Sequence, residues 1–195
     1  MPVNSWVDHS LIVDMALPEL SGAIKSQCLS LAALVFAEFC NEAQCFREWV
    51  TVELDGRTDA YTVVTPHADH LVIGLDRVQV DGTDCLPGDY SADSTEEIVF
   101  PSGESGTAKL LVILKPKSSA TNAPEKLLER WADSLSSGLK ARMMLMPEKP
   151  WTNPQLGGHY KNEFERSKLQ ALADVRNEFS VSRRGRSHRS QSYYY

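Results

Sequence analysis

The chain is predicted to be an α+β protein: a small helical bundle with a long C-terminal αα-hairpin, a β-sheet or barrel-like insertion, and an extended C-terminal arm. Three observations point there. Apolar residues recur at spacings of three and four over 22–41, 124–146 and 154–179. Short alternating or continuous apolar runs, punctuated by Asp-Gly and Pro-Ser-Gly, occupy 49–116. The segment from Ser180 to Tyr195 carries four arginines and no acid, and it shows no periodicity.

In the first helix, Ile24, Cys28, Leu31, Val35 and Phe39 form one stripe, and Pro18 and Gly22 mark its start. Strands are expected at Val50–Leu54, Ala60–Thr65, Leu71–Val80, Glu97–Phe100 and Lys109–Lys115. The nearly continuous Leu110–Leu114 suits a buried central strand. Pro124 opens the second helix, whose inner face is Leu128, Trp131, Leu135, Leu139 and Met143, and Pro147 ends it. Asn153 is placed to cap the third helix, with Pro154 at its first position. Leu156, Tyr160, Phe164, Leu172, Val175 and Phe179 form the stripe of this helix, which Lys168 interrupts. The last two helices should each be on the order of 35 Å long, and the short Pro-rich link between them implies an antiparallel pair.

Composition narrows the function. With 42% hydrophobic residues the chain can bury a core. No apolar run is long enough to span a bilayer, and the acidic N-terminus does not read as a signal peptide, so no membrane partner is expected. Cys28, Cys40, Cys45 and Cys85 fall in no metal-binding or redox spacing and read as reduced thiols. The net charge is −6; setting aside the four arginines of the last segment leaves 16 basic against 26 acidic residues, a body of −10. Such a body repels nucleic acid, and only the tail offers an electropositive contact.

The sequence asks for no catalytic or metal chemistry. His67 and His70, beside Asp69, are the only close pair among His9, His67, His70, His159 and His188, and no third ligand stands at a recognised spacing, so the pair reads as a solvated loop. Ser102–Gly106 lacks the lysine and following helix of a phosphate loop and reads as a hairpin turn. No nucleophile elbow or zinc-protease motif occurs. Catalytic residues, cofactors and metals are therefore expected to be none. Trp131 reads as core, and Trp151, in the rigid Lys149–Pro154 turn, as a staple between two helices. Arg183, Arg184, Arg186, Arg189, Tyr193, Tyr194 and Tyr195 read as partner-binding anchors, because a segment this polar cannot build a core of its own.

From Pro124 to Phe164 the chain reads Pro-Glu-Lys-Leu-Leu-Glu-Arg-Trp, Ser-Gly-Leu-Lys-Ala-Arg-Met-Met, Met-Pro-Glu-Lys-Pro-Trp-Thr-Asn-Pro-Gln-Leu and His-Tyr-Lys-Asn-Glu-Phe. This resembles the helical region of tailed-bacteriophage head-to-tail adaptors (connectors), in the broad group of tail tubular A proteins. Phe39-Cys40 before Arg47-Glu48-Trp49, and Val78 through Gly82, are similar as well. The resemblance implies an adaptor domain over 1–179 and a docking arm over 180–195. It also implies a virion neck location, with host cytoplasm during assembly, and a ring of about twelve copies between portal protein and tail tube or nozzle. Double-stranded DNA would pass through an acidic lumen without sequence-specific binding. The alternative from a different class is a nucleic-acid-binding assembly protein that uses the arginine-rich tail.

Overall fold

The computed structural model describes residues 5–86, 88–92, 96–101 and 103–184, with the side chains of the last helix described as far as Glu178. Its elements run β1 (Trp6–Asp8), α1 (Ser10–Ala16), a 3-10 turn (Leu17–Glu19), α2 (Lys25–Ala43), β2 (Arg47–Asp55), β3 (Ala60–Thr62), β4 (His70–Val80), β5 (Thr83–Asp84), β6 (Glu97–Val99), β7 (Ser105–Pro116), β8 (Asn122–Pro124), α3 (Glu125–Arg130), α4 (Ala132–Met144) and α5 (Pro154–Arg184). The fold is α+β. The main sheet has the order β2-β7-β4-β5, and two-stranded sheets pair β1 with β8 and β3 with β6. All pairings are antiparallel, and among the described residues the sheets stay open: no barrel closes.

β7 is central because both of its faces are apolar. Leu110, Val112 and Leu114 turn to the main core, while Leu111 and Ile113 are buried on the other face. The register sets Trp49 of β2 and Arg77 of β4 on either side of Leu111. α2 covers the core face with Cys28, Ala32, Val35, Phe36, Phe39 and Cys40. This helix ends where Gln44 adopts a left-handed conformation (φ 51°) and its N–H bonds to the Cys40 carbonyl at 3.0 Å.

The helix expected over 124–146 is two helices. Trp131 leaves helical geometry at φ −117° and ψ 18°, so α3 and α4 meet at a kink. Leu128, Leu135, Leu139 and Met143 all reach the core, whereas Trp131 is only partly buried. Its ring packs on Phe39 at 5.5 Å and under Arg130 at 5.1 Å.

α4 and α5 run in opposite directions: Arg130 pairs with Glu178, Gly138 lies under Phe164, and Gly157 lies under Met144 and Leu145. A β-carbon at Gly138 would stand 2.8 Å from both Phe164 and Val35, so glycine permits the close crossing of α2, α4 and α5. α5 continues to Arg184, past the boundary expected at 179. The sequence after Phe179, Ser-Val-Ser-Arg-Arg, contains neither proline nor glycine, and the first glycine is Gly185. At 31 residues the helix is about 46 Å long.

Candidate docking surfaces

Three local arrangements stand out from ordinary core and solvated surface. The first joins α2, α4 and α5. Lys168 lies on the buried stripe of α5, between Phe164 and Ala171, and is only 3% exposed. Its Nζ reaches Glu38 Oε1 at 2.9 Å, Glu42 Oε2 at 2.8 Å and Glu165 Oε1 at 2.9 Å. Burial alone would push this ammonium down. Hydrogen bonds to Glu42, Glu38 and Glu165 outweigh burial and hold it above the ordinary lysine range. Glu38 also accepts from Arg142, and although burial opposes the ionised form, Lys168 and Arg142 keep its carboxyl below the usual range. The residue that breaks the apolar pattern of α5 thus anchors the helix to α2.

Beside this network lies the second feature, an open groove of about 640 Å³ between α2 and the paired ends of β4 and β7. Leu34 and Leu71, both partly exposed, lie on its walls, and Lys115, Lys117 and Arg142 line it. Glu38, the one carboxylate among its described lining residues, is already paired with Arg142 and Lys168. The groove is therefore basic on a chain whose net charge is −6.

The third is an aromatic cluster at the start of β4. His70 is 3% exposed, with neither ring nitrogen hydrogen-bonded. Trp6 packs edge-on against His67 at 4.5 Å and His70 at 5.3 Å, and Phe46 meets His70 at 5.1 Å and 90°. Burial, and secondarily His67, push the His70 imidazole down to about 4. At neutral pH it is an uncharged ring that fastens β1 over the sheet. The expected solvated loop is thus only partly that: His67 is partly buried and bonds Glu48 at 2.9 Å, and His70 is buried. Among the described residues no group of three or more histidines, cysteines or carboxylates is arranged to hold a metal ion.

Two of the anchors expected from the sequence fall at the far end of α5. Arg183 and Arg184 lie in its last turn, where only the backbone is described. Arg186, Arg189, Tyr193, Tyr194 and Tyr195 lie outside the described residues. Several residues of the 137–156 stretch lie instead on α4, on the turn after it and at the start of α5. Gly138 is the crossing point, Ala141 is buried, Arg142 pairs with Glu38, Trp151 is 8% exposed, and Asn153 Oδ1 caps α5 through the Leu156 amide at 3.1 Å.

No protein-family model matches this chain, and no curated protein matches it significantly. No helix among the described residues is long and apolar enough to cross a membrane. The basic groove escaped the sequence reading because Leu34, Leu71, Lys115 and Arg142 come from four elements. Lys168 did leave a signal: a lone lysine in an apolar stripe asks for buried carboxylates.

Proposed function

We propose that this chain is a structural subunit of a phage head-to-tail adaptor ring. It would sit between portal protein and tail tube or nozzle, frame the channel through which DNA is retained and ejected, and catalyse no reaction. The observation that carries the reading is the Pro124–Phe164 stretch, whose distinctive residues hold α4 and α5 together and against α2. Gly138 lets α4 approach α5 and α2, Arg142 ties α4 to Glu38 of α2, Trp151 is buried in the turn between α4 and α5, and Asn153 caps α5, tasks of architecture. In this reading the two helices are the long hairpin of the adaptor, and about twelve such pairs stand around the channel. The polarised charge also supports it: a body of −10 lets DNA slide past, while the basic tail is left for a protein partner.

Within the adaptor, residues 180–195 act as the docking arm; the first five form the end of α5, with Arg183 and Arg184 in its last turn, and 185–195 follow it. Residues 185–195 reach roughly 35–40 Å when extended, enough to cross a neighbouring subunit. Arginine offers bidentate pairing to carboxylates and tyrosine offers ring burial. Removing 185–195 should leave the thermal midpoint within about 2 °C of the full chain and abolish co-sedimentation with portal rings of the same phage. Co-sedimentation of the truncated chain at the full-length level would refute the arm.

A further inference from the structure

We infer that copies of this chain associate head to tail, the acidic β4–β5 end of one main sheet seating in the basic groove at the opposite end of the next. This rests on the ring reading above and names the surfaces that would build the ring.

The two surfaces lie at opposite ends of the same strands. β4 and β7 pair from His70↔Pro116 to Val80↔Ala108, a span of roughly 35 Å. At the first end is the groove, with Leu34 and Leu71 on its walls and Lys115, Lys117 and Arg142 lining it. Among the described residues neither Lys115 nor Lys117 makes an ion pair; Lys117 Nζ bonds the Ala68 carbonyl at 2.7 Å. At the other end the chain turns from β4 into β5 and, just past β5, presents Leu86, 68% exposed, with Asp84 before it and Asp89 after it. Asp81, Asp84, Asp89 and Glu104 line a hollow of about 490 Å³ there; Asp84 lies 3.9 Å from Arg77 Nε, outside the lining, which leaves three further carboxylates on the hollow.

An exposed leucine flanked by carboxylates is the complement of a leucine-walled groove lined by lysines. Seating Leu86 against Leu34 and Leu71 removes apolar surface from water, and the surrounding charges fix register and steer the encounter. Because the patches differ, the contact is heterologous: each copy offers one free end to the next, and the series closes into a ring where the rotation allows. Two small patches make a weak contact in dilute solution, which a portal ring would strengthen by holding neighbours side by side.

Charge exchange tests this. Lys115→Glu with Lys117→Glu reverses the groove, and Asp89→Lys with Glu104→Lys reverses the far end. In sedimentation velocity at low salt and on the order of 10⁻⁴ M, the unaltered chain should self-associate, less so as salt rises. Each double variant alone should associate at least tenfold more weakly, and an equimolar mixture of the two should recover. Misfolding would not be rescued by mixing. The inference is overturned if the unaltered chain stays monomeric, if either variant associates normally, or if the mixture does not recover. Normal attachment of both variants to portal rings overturns the head-to-tail contact but leaves the adaptor reading intact. Charge-dependent self-association without attachment to portal rings does the reverse.

Discussion

Trp151→Ala should lower the unfolding free energy by about 3–5 kcal/mol, the range for truncating a buried aromatic ring. The indole is 8% exposed and belongs to the main core, in the turn that carries the chain from α4 into α5. That turn is otherwise held by small polar contacts. The Lys149 amide donates to Thr152 Oγ1 at 2.9 Å, Thr152 Oγ1 donates to the Met146 carbonyl, and the Asn153 amide donates to the Met144 carbonyl at 2.9 Å. Losing the ring opens a cavity beneath all of them. The indole N–H is buried without an acceptor, so it contributes a cost and not a bond. Trp151→Phe should accordingly lose under about 1.5 kcal/mol, since it keeps most of the ring volume and removes the orphan donor. Chemical denaturation measures both. A loss under about 1 kcal/mol for the alanine variant would show that the ring is not a staple of this turn.

Lys168→Met should cost about 2–3 kcal/mol. Methionine keeps the length of the stem over Phe164 but removes the charge that three carboxylates share. The loss falls below that of a fully buried pair because Glu42 and Glu165 are about half exposed and can turn to water. The pH dependence carries a sign. The folded-state value of Glu38 lies below its ordinary 4.5, so its ionised pairing stabilises the fold fully above pH 4.5 and is lost as pH falls through the folded value. The gap between the two proteins should therefore narrow on acidification below pH 4.5. A gap that is constant from pH 7 to pH 3 would contradict the network.

The periodic signals led to the right elements where one face of one element decided the matter. Cys28, Val35 and Phe39 of α2 are buried as their spacing required, and Leu110–Leu114 is the central strand. Ile24, read as the first residue of its stripe, is 63% exposed because the helix begins only at Lys25. The three-residue β3 and β6 fall within strands expected at Ala60–Thr65 and Glu97–Phe100, but β1 and β8, also three residues each, were not legible: they exist by pairing across the chain, Trp6 opposite Pro124. The Trp131 kink has no proline or glycine to announce it. The candidate surfaces were least legible, because His70, Lys168 and the groove take their character from residues distant in sequence. A histidine in a polar turn gives no sign that Trp6 and Phe46 will enclose it.

The adaptor reading itself is tested most directly by native mass spectrometry of the chain alone and after mixing with purified portal rings. At micromolar concentration the chain alone should appear at 21.7 kDa. On portal rings it should add one such mass per portal subunit, about twelve in all. Portal rings that gain no mass from the chain would contradict the account.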